Sequence, residues 1–369
     1  MTSRRRLLRR AGVALGLGLA GGLAGCGYRP GGGDIRWREE FRTGFYGDDP
    51  VGIADGVLYG VTGSTRTYDF ETGEWVTRSS VVGYDTADGA QLFDTEFEPD
   101  VAASALGDRG LAVAFADRTV AYLTADGEQW RASVDGEVRT VAAADGRVYA
   151  ATADGRVVAV TDGSRAWAND IGFADGETDT DLDQRRDTGS ELFLAAGGAV
   201  VAATADGTVG FTPGGRRLWT RRDLDVPDSA AFADGRVYAW RDLDLLAIHR
   251  STGETAWTLS GLVESVALGG DGGYRVGEGM LVAFDAGGDR RWTRDSDSRY
   301  DDRYGGGLAA DGDGVYATRD GDLVAHDPAD GSVRWAVEAT VEYGPYLVDG
   351  GVLVAGDGQL VCHHRQPSD

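Results

Sequence analysis

The chain has 369 residues, 42% of them hydrophobic, with 58 glycines in no three-residue period and 2 cysteines, which excludes disordered, collagen-like and disulfide-scaffold classes. Its formal charge is −24, all 36 basic residues are arginine, and Asp outnumbers Glu 45 to 15. Such a surface repels phosphate backbones, so nucleic acid is not an expected partner, and its self-repulsion is tolerable in concentrated salt.

Taken from the start, Arg4, Arg5, Arg6, Arg9 and Arg10 precede an apolar run from Ala11 to Ala24, and Cys26 follows. A charged start before a short apolar run is the pattern of an export signal, and the run is short for a membrane span. Ser3-Arg4-Arg5-x-Leu7-Leu8 resembles a twin-arginine signal, which delivers folded proteins, and Leu23-Ala24-Gly25-Cys26 resembles a lipobox. Residues 1–25 are therefore expected to be a cleaved leader, Cys26 a lipidated first residue, and 26–33 a short tether. An uncleaved anchor with an incidental cysteine is the alternative. Losing the five leader arginines takes the mature charge from −24 to −29.

Beyond the tether, a short strand with a small residue at its centre recurs eight times, centred on Gly83, Ala121, Ala159, Gly210, Ala247, Ala283, Ala325 and Cys362. The intervals are 38, 38, 51, 37, 36, 42 and 37 residues, one unit of about 37 with two insertions. Eight to ten residues after the first seven small positions comes a large aromatic: Phe93, Trp130, Trp167, Trp219, Trp257, Trp292 and Trp335. Turns such as Asp88-Gly89, Asp162-Gly163, Gly214-Gly215 and Asp330-Gly331 lie between them and supply the positive φ of tight hairpins. A second hairpin with the same chemistry precedes most small positions, as in Asp145-Gly146-Arg147-Val148-Tyr149-Ala150. No stretch has helical periodicity.

Four strands in each of eight units predict an all-β fold, an eight-bladed β-propeller of four-stranded antiparallel blades over residues 34–365, with 366–369 as a tail. The small residue lets adjacent sheets approach, and the aromatic is expected to dock across the blade junction. The eighth unit has no aromatic strand of its own, whereas Asp34-Ile35-Arg36-Trp37-Arg38-Glu39-Glu40-Phe41 precedes the first. That N-terminal strand is predicted to complete the last blade, with Trp37 as its docking residue, sealing an open edge.

The motifs Ala247-Ile248-His249-Arg250-Ser251-Thr252-Gly253-Glu254-Thr255-Ala256-Trp257 and Ala325-His326-Asp327-Pro328-Ala329-Asp330-Gly331-Ser332-Val333-Arg334-Trp335 resemble the repeats of PQQ-like propellers. That family includes quinone-dependent alcohol dehydrogenases and outer-membrane assembly lipoproteins. The acidic, lysine-free composition resembles haloarchaeal proteins, whose cells have no outer membrane to assemble.

The resemblance to quinoprotein enzymes implies a calcium-bound PQQ beside a disulfide of neighbouring cysteines, with a Glu and an Asn on calcium. This chain has no such cysteine pair, and Asn169 is its single asparagine. Cys362-His363-His364 has the composition of a metal cluster, but successive strand residues face opposite sides of a sheet and cannot converge on one ion. The carboxylates of the insertion 172–190 lack the Gly and Glu of a calcium loop, with Gln184 and Ser190 in those places. No catalytic, cofactor or metal site is expected, and Cys362 is expected to be a free buried thiol.

These features together imply a monomeric, non-catalytic propeller, anchored by lipid at the extracytoplasmic face and presenting a rigid disk to exported or membrane proteins. Alternatives are a polysaccharide or small-ligand site in the central channel, and a PQQ-dependent redox protein. Departures from the repeat are the expected contact surfaces: the hairpin region 62–80 with Tyr68 and Trp75, the insertion 172–190, and the insertion 295–307 with Tyr300 and Tyr304.

Overall fold

The structure, a computed structural model, describes residues 31–41, 48–69, 73–172, 192–224, 226–241, 243–269, 272–295 and 304–366. Among them are 32 strands in eight four-stranded antiparallel sheets and no helix. Seven blades are continuous: 48–97, 101–133, 138–170, 193–221, 229–260, 265–294 and 304–337, called blades 1 to 7. In each of these the strands pair in chain order. The first strands of successive blades adjoin from blade 1 through blade 5 and again from blade 6 through blade 8 to blade 1, so they surround a central axis.

Blade 8 is shared between the two ends of the chain. It holds Tyr343–Val348, Gly351–Gly356 and Gln359–His364, and its outermost strand is the N-terminal Ile35–Glu40. Trp37 stands opposite Cys362 and Glu39 opposite Leu360, the closure expected from the sequence. Backbone bonds continue past the ladder: Gly33 N–H donates to His364 O at 2.8 Å, and Phe41 N–H to Gly358 O at 2.8 Å. The third strand of blade 8 is thereby covered, and the junction of the chain ends becomes a four-stranded blade like the others.

The fold has no single core. Its buried apolar residues form eight clusters, each joining one blade to the next. Most seams share one geometry, set by three adjacent strands. In blade 5, Tyr238 pairs with Ala247, which pairs with Trp257; blade 3 repeats this with Tyr149, Ala159 and Trp167, and blade 7 with Tyr316, Ala325 and Trp335. The small middle residue leaves room for the two flanking rings to meet above it, at 5.8, 5.9 and 5.9 Å between centroids. At Gly210 even a methyl group is too large, since a Cβ there comes within 2.3 Å of the Trp219 ring.

A one-residue bulge just after the small position recurs between the third and fourth strands and sets where the tryptophan stands. Blade 2 departs from the sequence reading here. Trp130 pairs with Tyr122, not with Ala121, and Ala121 packs towards blade 1 while Tyr122 packs towards blade 3. The aligned small residue is thus one place off, and a slip of one residue in a strand exchanges its faces. Blade 2 reaches the same outcome by permutation: Ala112 on the second strand is small, and the tyrosine sits on the third.

Candidate functional site

The eight aromatics expected at blade junctions all lie at the seams. Five lock onto the next blade through the indole N–H: Trp167 to Pro213 O, Trp219 to Arg250 O, Trp257 to Ala286 O and Trp335 to Arg365 O at 2.9 Å, and Trp292 to Pro328 O at 3.0 Å. In four of these seams, and beneath Trp37, the ring lies on a positive-φ turn glycine of the next blade. A Cβ at Gly215, Gly253, Gly288, Gly331 or Gly89 would come within 2.6–2.7 Å of that ring. The remaining docking residues differ. Trp37 Nε1 is buried and finds no acceptor among the described residues. Trp130 instead stacks on Tyr122, at 6.0 Å and 19°. Phe93, which has no N–H, packs against Tyr59 at 6.1 Å.

The other singled-out residues are placed as follows. Tyr304, expected at a contact surface, is 3% exposed and so is corrected to a core residue. Its O–H donates to Nε2 of the buried His326 at 3.1 Å, because His326 Nδ1–H is committed to Gly331 O at 2.9 Å. Burial lowers the His326 pKa and keeps the ring neutral. His363 is neutral for the same reason and donates from Nδ1 to Gly33 O at 2.7 Å. Cys362 is a free, fully buried thiol whose pKa is pushed up to about 11 by burial. Tyr68 and Trp75 are backbone partners near the end of a long hairpin, Val57–Asp69 with Glu74–Asp85. Tyr300, most of both insertions and Cys26 lie outside the described residues.

The described residues contain no group of three metal-ligating side chains. The single asparagine does not fit the calcium of a quinone in the central channel: Asn169 lies on the outermost strand of blade 3, its Nδ2 donating to Gly215 O at 2.6 Å.

What the structure offers is a cleft of about 560 Å³ between blades 4 and 5. Its walls are Phe193, Val201, Trp219, Leu224, Trp240, Leu243, Leu246 and Ile248, and Asp223 and Asp244 also line it. The opening follows from two substitutions in the repeat. The tyrosine place of blade 4 is Val201, opposite Gly210, and the aromatic place of blade 5, held by Phe211 in blade 4 and Phe284 in blade 6, is Ile248. Trp219 therefore has an aliphatic neighbour on each side where Trp257 has rings at 5.8 and 5.6 Å. Leu243, at the lip, is 59% exposed. Beside it Asp223 is held by both Nε and Nη2 of Arg221, at 2.7 and 2.6 Å, which brings its carboxyl down to about 2.

Neither Trp240 nor Leu243 was singled out in the sequence, although the repeat contains the signal. Trp240 stands where the matching strand of blade 3 has Ala151 and that of blade 7 has Thr318, and Leu243 stands where their turns have Gly155 and Gly321. A second cavity, of about 780 Å³, lies among blades 7, 8 and 1, next to Arg365. Each nitrogen of that guanidinium donates, to Gly351 O, Val348 O and the Asp311 carboxylate.

Comparison with known proteins settles the family. The model of the outer membrane protein assembly factor BamB matches residues 27–259 and 277–363. The chain belongs to the BamB-type, PQQ-like propeller family. Among solved structures, BamB from Moraxella catarrhalis is similar at 14% identity and TM-score 0.57, covering 89% of this chain and 98% of that one. The computationally designed Ika8 protein is similar at 16% identity and TM-score 0.64, covering 90% and 100%. Quinohemoprotein alcohol dehydrogenase from Comamonas testosteroni is similar at 14% and 0.57, covering 91% of this chain and 77% of that one. At these identities the BamB-type likeness is one of fold. No curated protein matches the chain.

Proposed function

We propose that this propeller is a non-catalytic scaffold, held by lipid on Cys26 at the extracytoplasmic face of the cell membrane, that docks an exported or membrane protein in the cleft between blades 4 and 5. The observation that carries the reading is a seam whose tryptophan has aliphatic neighbours on both sides, so that the junction between blades 4 and 5 opens as a cleft. An indole and a leucine replace the small residues of the repeat at that place, and exposed Leu243 offers apolar area that docking would bury. The indole N–H of Trp219 is already bonded to Arg250 O, so that ring offers the cleft an apolar surface.

The test is cross-linking and recovery from membranes in high salt, with the wild-type chain beside Trp240→Ala and Leu243→Ser. A specific partner recovered by the wild type and lost, or reduced at least tenfold, with both variants is the expected result. Recovery of no specific partner, or equal recovery by all three chains, overturns the reading. Saturable glycan binding that ignores both substitutions moves the function to the central channel.

A further inference from the structure

The outermost strand of each of the eight blades has one equivalent place at or next to its start, the residue paired just beyond the bulge. In blades 1 to 6 that residue is Gln91, Glu128, Arg165, Arg217, Thr255 and Arg290; in blades 7 and 8 it is Val333 and Ile35. Leu92 follows directly on Gln91 in blade 1, the next blade around the ring. Val333, Ile35 and Leu92 are 51%, 49% and 44% exposed, and with Leu243 they are the exposed large apolar side chains among the described residues. Three of the four therefore stand on three consecutive blades, at the same end of the outer strand, and form an arc on the rim of one face of the disk.

The chain enters the fold inside that arc. Gly32 and Gly33 pack against the Trp335 ring, two residues from Val333, and the chain then runs directly into Ile35. The turn before Leu92 packs on Trp37 of that same strand, since a Cβ at Gly89 would come within 2.6 Å of its ring. Cys26 is five residues before Gly31, a span of at most about 17 Å for a fully extended chain. A lipid on Cys26 thus fixes which part of the rim is near the bilayer, and that part carries the arc.

We infer that the arc of Ile35, Leu92 and Val333 rests on the membrane surface as a second, apolar attachment beside the lipid, setting the disk in one orientation. This inference depends on the anchor in the reading above. The lipid tethers the chain without fixing how the disk sits, and three apolar side chains around the tether add buried area that favours one orientation. An attachment through this arc leaves the cleft between blades 4 and 5 on the far side of the ring, turned away from the tether.

The experiment uses the full chain, exported and processed in a halophilic host, with single reporter cysteines at Ile35→Cys, Leu92→Cys and Val333→Cys. Arg165→Cys and Thr255→Cys, at the same repeat place on the opposite side, are the controls. Each is labelled with an environment-sensitive fluorophore; Cys362 is fully buried and is not expected to react while the chain is folded. Membranes containing a nitroxide lipid near the headgroup quench the three arc sites severalfold more than the two controls if the inference holds. Equal quenching at all five sites, or none at any, in a chain that stays membrane-bound overturns the arc and leaves the anchor standing. Membrane retention, compared between the wild type and Cys26→Ser, reads the anchor separately. If the wild type is released as readily as the variant, anchor and arc fall together.

Discussion

The seam between blades 5 and 6 and the seam between blades 4 and 5 share one backbone plan and differ in what fills it. In the first, Tyr238, Trp257 and Phe284 meet edge to face across the junction, with Trp257 bonded to Ala286 O. In the second, Val201 and Ile248 flank Trp219, whose bond to Arg250 O is retained. The pairing is the same in both, with Ala247 opposite Trp257 and Gly210 opposite Trp219 and a bulge directly after each. A propeller seam therefore has two separable layers. Strand register and the indole hydrogen bond hold the blades together, and the rings beside the indole decide whether the junction is closed or open.

Four substitutions break or sharpen that contrast. Trp257→Ala leaves a large void between rings and costs about 3–5 kcal/mol, read by denaturant unfolding in high salt. Trp219→Ala costs less, about 2 kcal/mol, because its surroundings already lack the contacts that a full seam supplies. Equal losses at the two positions would show that the open seam is as tightly packed as the closed one. Val201→Tyr restores the missing ring, raises stability by about 1 kcal/mol and removes partner recovery. Leu243→Ser changes stability by less than about 0.5 kcal/mol while reducing partner recovery.

A titratable seam provides a further contrast. His326 is buried and neutral, with its pKa lowered by burial, so the unfolded chain binds a proton that the folded chain refuses. Its contribution to stability is complete above the ordinary histidine value of 6.5 and is lost as pH falls from there through the folded value. Unfolding measured over this window should show stability falling with pH in the wild type and a shallower slope in His326→Phe, whatever the absolute stability of the variant. No histidine lines the cleft between blades 4 and 5 among the described residues, so Val201→Tyr leaves the slope unchanged.

Blade number, the four strands of each blade and the closing strand are all readable in the sequence. They depend on repeated local chemistry, on Asp-Gly and Gly-Gly turns and on a small residue at a fixed distance from a tryptophan, and eight copies average out local noise. Blade 2 shows where that reading weakens. Ala121 and Tyr122 are adjacent, either can be aligned with Ala159, and only the position of the bulge decides which faces Trp130. The cleft was hidden for a related reason. It arises from what Val201 and Ile248 lack, and an absent ring is visible only after the tyrosine and phenylalanine places have been recognised from their pairing across strands. Tyr304 was misplaced because it opens an inner strand directly after an insertion, so its place in the sequence suggested a loop while its partner His326 lay in the core.

The closing strand also orders events in time. Ile35–Glu40 is made more than 300 residues before its only sheet partner among the described strands, Gln359–His364. Throughout synthesis the nascent protein is an incomplete circle with two sticky rims, able to pair with a neighbouring copy as readily as with itself. A export route that accepts only finished cargo would hold such a molecule back until head and tail have met.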